Sequence, residues 1–246
     1  MTIVSSTDHA LFSDESLGNL RAADMRLGRH QAQCQPSGRS RHRSHERESA
    51  AIRVRELTVK GINNLSFDAK PGSLTALAGD PQTCATALLA ISSHLPRDAG
   101  QIHIHGEPLP REPERARKLI AVARARPDIE LDVTLRVGDL CAERRSRNVP
   151  QVVLDALFAA LGLLGVRAPT DKIVAELEPA DQLLLAVALV TARAPHVVVI
   201  DNVDENLGTK AAERVWLALR RLTRTGITVL TSANKSTVHV DSLVAV

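Results

Sequence analysis

Residues 73–95 read SLTALAGDPQTCATALLAISSHL, and this stretch decides the fold. Leu74-Thr75-Ala76-Leu77-Ala78 predicts a short apolar strand. Gly79-Asp80-Pro81-Gln82-Thr83 predicts a turn, and the spacing of Leu88, Leu89, Ile91 and Leu95 predicts a helix with one face on a core. Strand, tight loop and helix in that order aim backbone N–H groups and a helix N-terminus at an anion, usually a phosphate. The stretch stands where a phosphate loop would stand, yet most of its residues are not the ones such a loop uses.

The chain has 246 residues, 44% of them hydrophobic, enough for one or two domains and a large core. Three Phe, one Trp and no Tyr leave little for stacking nucleic-acid bases. A net charge of +3 is mild, so no nucleic-acid partner is expected. Cys34, Cys84 and Cys141 are odd in number and far apart, which fits a reducing compartment rather than a disulfide framework. No apolar run approaches the ~18 residues of a membrane span, and the N-terminus lacks the apolar core of a signal peptide. The expected location is cytoplasmic, with any membrane contact made through a partner.

Residues 1–50 are polar, with a basic serine-rich run from Gly38 to Arg47, and read as a disordered tail. The acidic Asp8, Asp14, Glu15, Asp24, Glu46 and Glu48 partly offset the basic residues. From Ala51 onward the chain reads as folded. IRVRELTV (52–59) and Ile62 to Phe67 predict two strands, closed by the turn Lys70-Pro71-Gly72. An alternating strand follows in Asp98 to Gly106. His103 and His105 are expected on one exposed face of it, with no third metal ligand at useful spacing. KLIAVA (118–123) predicts a further strand, and 126–174 a largely helical region. Arg144-Arg145-Ser146-Arg147 reads as a solvated basic loop. Glu178-Pro179-Ala180-Asp181 opens a helix whose body, Leu183 to Thr191, is apolar nearly all round and so buried. His196-Val197-Val198-Val199-Ile200-Asp201 predicts a central parallel strand covered on both faces. A helix from about Lys210 to Leu222 and a strand from Ile227 to Thr231 complete a parallel crossover unit.

In this order residues 51–246 resemble the ATP-binding cassette domain of ABC transporters. Arg53 to Leu74 resembles the family's opening β-subdomain, and DAGQIHIHGEPL (98–109) its stretch after the first helix. Val133-Thr134-Leu135-Arg136-Val137 resembles the opening of its helical subdomain. Leu177 to Leu207 follows the order of signature loop, buried helix and Walker B strand. Thr228 to Ala233 resembles the strand before the switch histidine. The implied fold is α/β: a P-loop NTPase-like cassette core with an antiparallel β-subdomain and a helical subdomain near 126–180.

The resemblance implies ATP and Mg²⁺ as cofactors, at the positions Gly79, Gln82, Thr83, Cys84, Ala85, Thr86 and Ala87 for nucleotide, and Thr86 and Asp201 for metal. In G-x-x-x-x-G-K-[ST] the glycines let backbone amides wrap the phosphates, the lysine neutralises them and the hydroxyl holds Mg²⁺. Here Cys84 replaces the second glycine, Ala85 replaces the lysine, and Asp80 adds a negative charge. One charge-assisted hydrogen bond contributes ~1.5–3 kcal/mol, so loss of the lysine alone implies roughly 10- to 100-fold weaker ATP binding. Lys60-Gly61 stand where the family places an adenine-stacking aromatic, and about Ala125 where it places a γ-phosphate-sensing glutamine. Leu177-Glu178-Pro179-Ala180-Asp181 replace the LSGGQ signature, and Gly208 the D-loop aspartate. Asn202 replaces the catalytic glutamate. Asn234 replaces the switch histidine, or Ala233 in a register one residue shorter. Asp204 and Glu205 are the carboxylates that a displaced base would use. No residue is assigned a catalytic role.

The implied function is a divergent cassette subunit associated with a membrane transporter or permease, docking through Arg126 to Leu140, with ATP binding weak and hydrolysis lost. One alternative is the degenerate half of a heterodimeric ATP-hydrolysing transporter, partnered by a second cassette. Another is a regulatory or scaffold relic of the fold.

Overall fold

The computed structural model describes residues 50–110, 112–146, 151–233 and 239–246. The tail up to residue 49, the Asn234 position, Arg147 and the side chains of the rest of the basic run at 144–146 lie outside that description.

The opening half of the domain is an antiparallel sheet in the order β2-β1-β4-β5. Its strands are β1 (Ile52–Val59), β2 (Ile62–Ala69), β4 (Ala99–Ile104) and β5 (Glu107–Pro108). Ile52, Val54, Leu57, Val59, Leu65 and Phe67 turn inward from β1 and β2. The register shifts between Val54 and Leu57 on β1, at a bulge where Glu56 takes φ 52. Gly100 (φ 98) lies against that bulge, where a Cβ would sit 2.6 Å from the Glu56 carbonyl oxygen, so only glycine fits.

The second sheet is parallel, in the order β6-β7-β8-β3-β9. It is formed by β3 (Leu74–Ala78), β6 (Ile120–Arg124), β7 (Val197–Ile200), β8 (Thr228–Ser232) and β9 (Ser242–Ala245). The VVVI run of β7 is fully buried, and its side chains divide by parity. Val198 and Ile200 join one core with the helices, while Val197 and Val199 join another with the antiparallel sheet. That is why the run shows no alternation: both faces are covered. The first core takes α4 (Gln151–Leu164), α5 (Pro179–Thr191) and α6 (Thr209–Thr223), the last through Val215, Trp216, Leu219 and Leu222. The second takes α1 (Pro81–Ile91), through Cys84, Ala87, Leu88 and Ile91.

Three local expectations shift. The strand expected from Lys118 begins at Ile120, because Lys118 and Leu119 end the helix α2 (Pro113–Leu119). The helical region expected from 126 contains turns up to α3 (Val137–Ser146). His103 and His105 do not share a strand face. β4 stops at Ile104, and His105 (φ 49) places its ring 4.8 Å from that of His196 at the head of β7. Among the described residues no group of three or more His, Cys, Asp or Glu is placed to hold a metal ion. No helix among them is long and apolar enough to cross a membrane.

Candidate functional site

Parallel α/β sheets present their ligand sites beyond the carboxyl ends of the strands. Here those ends bring together Gly79 and Asp80 after β3, Ser232 on β8, Asp201 and Asn202 after β7, and Arg124 on β6. The register fixes this line: Leu77 pairs with Ser232, and Ile200 with Thr231 and Arg124.

The expected turn over Gly79–Thr83 is shorter than the sequence reading placed it. Helix α1 starts at Pro81, and its first backbone bond runs from the Cys84 N–H to the Asp80 carbonyl at 2.9 Å. Gln82, Thr83, Cys84, Ala85, Thr86 and Ala87 are therefore ordinary helical residues. Pro81 fits the first helical position, where no N–H is needed. Asp80 caps the helix: its Oδ2 accepts from the Thr83 N–H at 3.0 Å and from the Thr83 hydroxyl at 3.1 Å. The helix end that a phosphate loop turns toward its ligand here receives the protein's own carboxylate. Asp80→Ala should cost about 1 kcal/mol of stability, the usual worth of such a cap. A urea titration reads this directly, and a loss under ~0.3 kcal/mol would contradict the capping role.

Gly79, the retained first glycine, is required by packing. A Cβ there would lie 2.7 Å from the Val246 backbone oxygen, where the chain after β9 passes close by. The Thr86 hydroxyl donates to the Gln82 carbonyl at 2.8 Å, within its own helix. Cys84 is buried, and that burial, aided by the negative charges of Asp201 and Asp80, pushes its thiol up to about 11. It is a packed, inert thiol.

On β7's exit, Asp201 is buried, and one carboxylate oxygen accepts from the Ser232 hydroxyl at 2.6 Å. Burial raises its pKa above the ordinary aspartate value, against the opposing pull of the Ser232 bond and Arg124. Asn202 sits in the left-handed region (φ 54), with its N–H donated to the Ser232 hydroxyl oxygen at 2.7 Å. Beside them is a residue the sequence reading passed over. Arg124, only 8% exposed, donates from Nε and Nη2 to the Asp201 carbonyl at 3.0 and 2.9 Å, and from Nη2 to the Asn202 carbonyl. Ala125, the position aligned with the sensing glutamine, is buried and bridged to Ile129. Arg126 ties the same corner together from outside, with Nη1 on Glu205 at 2.7 Å and Nε on Glu130 at 2.5 Å.

The remaining aligned positions lie apart from this line. Lys60 and Gly61 form the exposed β1–β2 turn, and Gly208 caps α6. Glu178 is the exposed N-cap of α5, with no side-chain cap bond, followed by Pro179. Asp181 points inward, accepting from the Arg167 N–H at 2.7 Å and from both terminal nitrogens of Arg214. A recess of about 130 Å³ opens beside Arg124, Arg126, Glu130 and Gln182. That is below the roughly 300–1,000 Å³ of small-molecule sites. A larger cavity of about 740 Å³ lies at the other end of β3, around Lys70, Gly72, Arg220 and Asp241.

No family model matches the chain. Over 170 residues, 69% of its length, it is 28% identical to the Nod factor export ATP-binding protein I of Burkholderia orbicola (strain AU 1054), covering 56% of that protein. It therefore spans little more than half the length of this relative. It is 26% identical over 179 residues to the ABC transporter ATP-binding protein YxdL of Bacillus subtilis (strain 168), covering 69% of this chain and 68% of that one. Among solved structures it resembles cbiO1 from Clostridium perfringens, part of the ABC transporter complex cbiONQ. The TM-score is 0.70 at 18% identity, over 80% of this chain and 85% of that one. A nucleotide-free ATP-binding cassette from an ABC transporter gives a TM-score of 0.68 at 15% identity, over 80% and 87% of the two chains. The chain has the fold of an ATP-binding cassette, and its sequence is similar to the ATP-binding proteins of ABC transporters.

Proposed function

We propose that this chain is a divergent cassette subunit that works with a membrane permease, binds ATP weakly or not at all, and does not hydrolyse it. The observation that carries this reading is the start of α1 at Pro81 under its own carboxylate cap. Four residues that would have to wrap a phosphate, Gln82, Thr83, Cys84 and Ala85, are instead the first turns of a helix. The family's Mg²⁺-nucleotide does not fit these residues. The Thr86 hydroxyl donates within its own helix to the Gln82 carbonyl, no lysine among the described residues stands at the Ala85 position or beside it, and Asp80 holds negative charge where phosphates need donors. At the expected base position, Asn202 carries an amide, which cannot accept the proton of an attacking water.

The permease contact falls on residues 126–140, at the opening of a helical subdomain assigned to 126–180. Val133 is 41% exposed there, beside the recess at Glu130 and Leu131. Through that contact the protein would sit at the inner face of the membrane. Pairing with a second cassette that contributes ATP is disfavoured by the signature segment, where Glu178 is an exposed carboxylate and Pro179 has no N–H. The test is equilibrium binding of labelled ATP in the presence of Mg²⁺. Saturation is expected only above about 1 mM, if at all. Micromolar binding would overturn the reading.

A further inference from the structure

We infer that Arg124 is a resident cation of the Asp201 corner, fastening the β7 exit loop and keeping divalent metal off it. The inference takes from the cassette reading only the identity of this corner. Hard divalent ions collect oxygen ligands. The corner offers three kinds: the Asp201 carboxylate, the Asp201 carbonyl and the Asn202 carbonyl. Arg124 already donates to both carbonyls through two of its nitrogens, and Ser232 donates to the carboxylate. Arginine suits the position because its planar fork reaches two neighbouring oxygens and keeps its charge when buried.

The surroundings are arranged to hold that charge. Burial and the neighbouring Arg126 push the Arg124 pKa down, while Glu205, Asp201 and Glu130 push it back up. Arg126 adds a second positive group, tied to Glu130 and Glu205 across the same loop. An arriving dication would meet the Arg124 guanidinium and find its carbonyl ligands taken. Arg124 is a positioning residue: it fixes the loop through its backbone, whether or not nucleotide is present.

The experiment is Mn²⁺ titration of the full chain, without nucleotide, followed by the electron paramagnetic resonance of the free ion. Wild type should bind no Mn²⁺ that depends on Asp201, as judged against Asp201→Asn. Arg124→Gln, which removes the charge, should gain an Asp201-dependent site at least roughly tenfold tighter than any in wild type, as expected when a like charge is removed from beside a ligand group. Arg124→Lys, which keeps the charge, should stay blind to Mn²⁺; a purely structural role would not separate Lys from Gln in this way. Asp201-dependent binding already present in wild type, or a folded Arg124→Gln protein that gains none, overturns the proposal. If Arg124→Gln fails to fold, Arg124→Met, which keeps the packed stem and removes the charge, takes its place with the same expected gain and the same overturning result. Tight ATP binding by a wild type that takes no Mn²⁺ at Asp201 would sink the functional reading and leave this inference standing.

Discussion

Replacing Asp181 with alanine is expected to lower the unfolding free energy by about 3 kcal/mol and the melting temperature by roughly 6–12 °C. The carboxylate is 3% exposed and gathers donors from two separate places: the Arg167 N–H and the Arg214 fork. Arg214 also donates to the Gly165 carbonyl at 2.9 Å, so one ion pair ties together the end of α4, the first turn of α5 and the face of α6. Removing the acid leaves the Arg214 guanidinium without its carboxylate and the Arg167 N–H without its acceptor. Breaking a buried pair costs about 3–5 kcal/mol. The lower figure applies because the Arg214 side chain is 26% exposed and water recovers part of the loss. Arg214→Met should cost a similar amount, and the double replacement less than the sum, since each single change leaves the other charge uncompensated. Urea denaturation of the four proteins checks this. A loss below ~1 kcal/mol for Asp181→Ala, or simple additivity, would show that the pair is not a strut.

The second large effect is a gain that should fail to appear. Ala85→Lys with Asn202→Glu restores, letter by letter, the phosphate-binding lysine and the general base that the family uses. A positioned base is worth about 10²–10⁴ in rate. Phosphate release by the double variant is nevertheless expected to stay at background. The new lysine would project from the second turn of a helix that begins at Pro81 under the Asp80 carboxylate. The missing part is the loop, and point changes downstream of Pro81 do not unwind a capped helix. Turnover reaching about 1 s⁻¹ would show that the loop re-forms and would undo this account.

The difference between letters and loop also marks where the sequence was legible. The VVVI run of β7, the LTALA run of β3 and the strands at 52–59 and 62–69 were readable because burial on one or two faces leaves a plain apolar pattern. The start of α1 was also written in the sequence: Asp80-Pro81-Gln82-Thr83 is a cap, a first-position proline and a third residue able to donate to the cap. Aligning the segment with a phosphate loop stretched the turn past Pro81. Arg124 was hidden for a different reason. It closes the strand IAVAR where an exposed end is expected, and its partners are backbone carbonyls 77 residues away, which no side-chain pattern announces. Asp181 was read as a charge at a helix start, which it is, but its ion pair with Arg214 spans 33 residues and crosses two helices. His105 left its expected strand face because β4 ends one residue earlier, at Ile104.

The strand β3 has one more consequence, for how the chain acquires its fold. Both of its neighbours come late: β8 and β9 flank it, and the Leu74 N–H is held by the Asp241 carboxylate 167 residues further on. At a synthesis rate of about 5–20 residues per second, β3 waits roughly ten to thirty seconds for either neighbour. During that interval it has two open hydrogen-bonding edges and a nearly all-apolar LTALA sequence. The helix that follows is capped locally at Asp80, but its buried face also packs on the core that Leu230 of β8 completes. The nascent segment therefore carries an unpaired strand until the last part of the chain is made, and β3 is where association with other unfinished chains would begin.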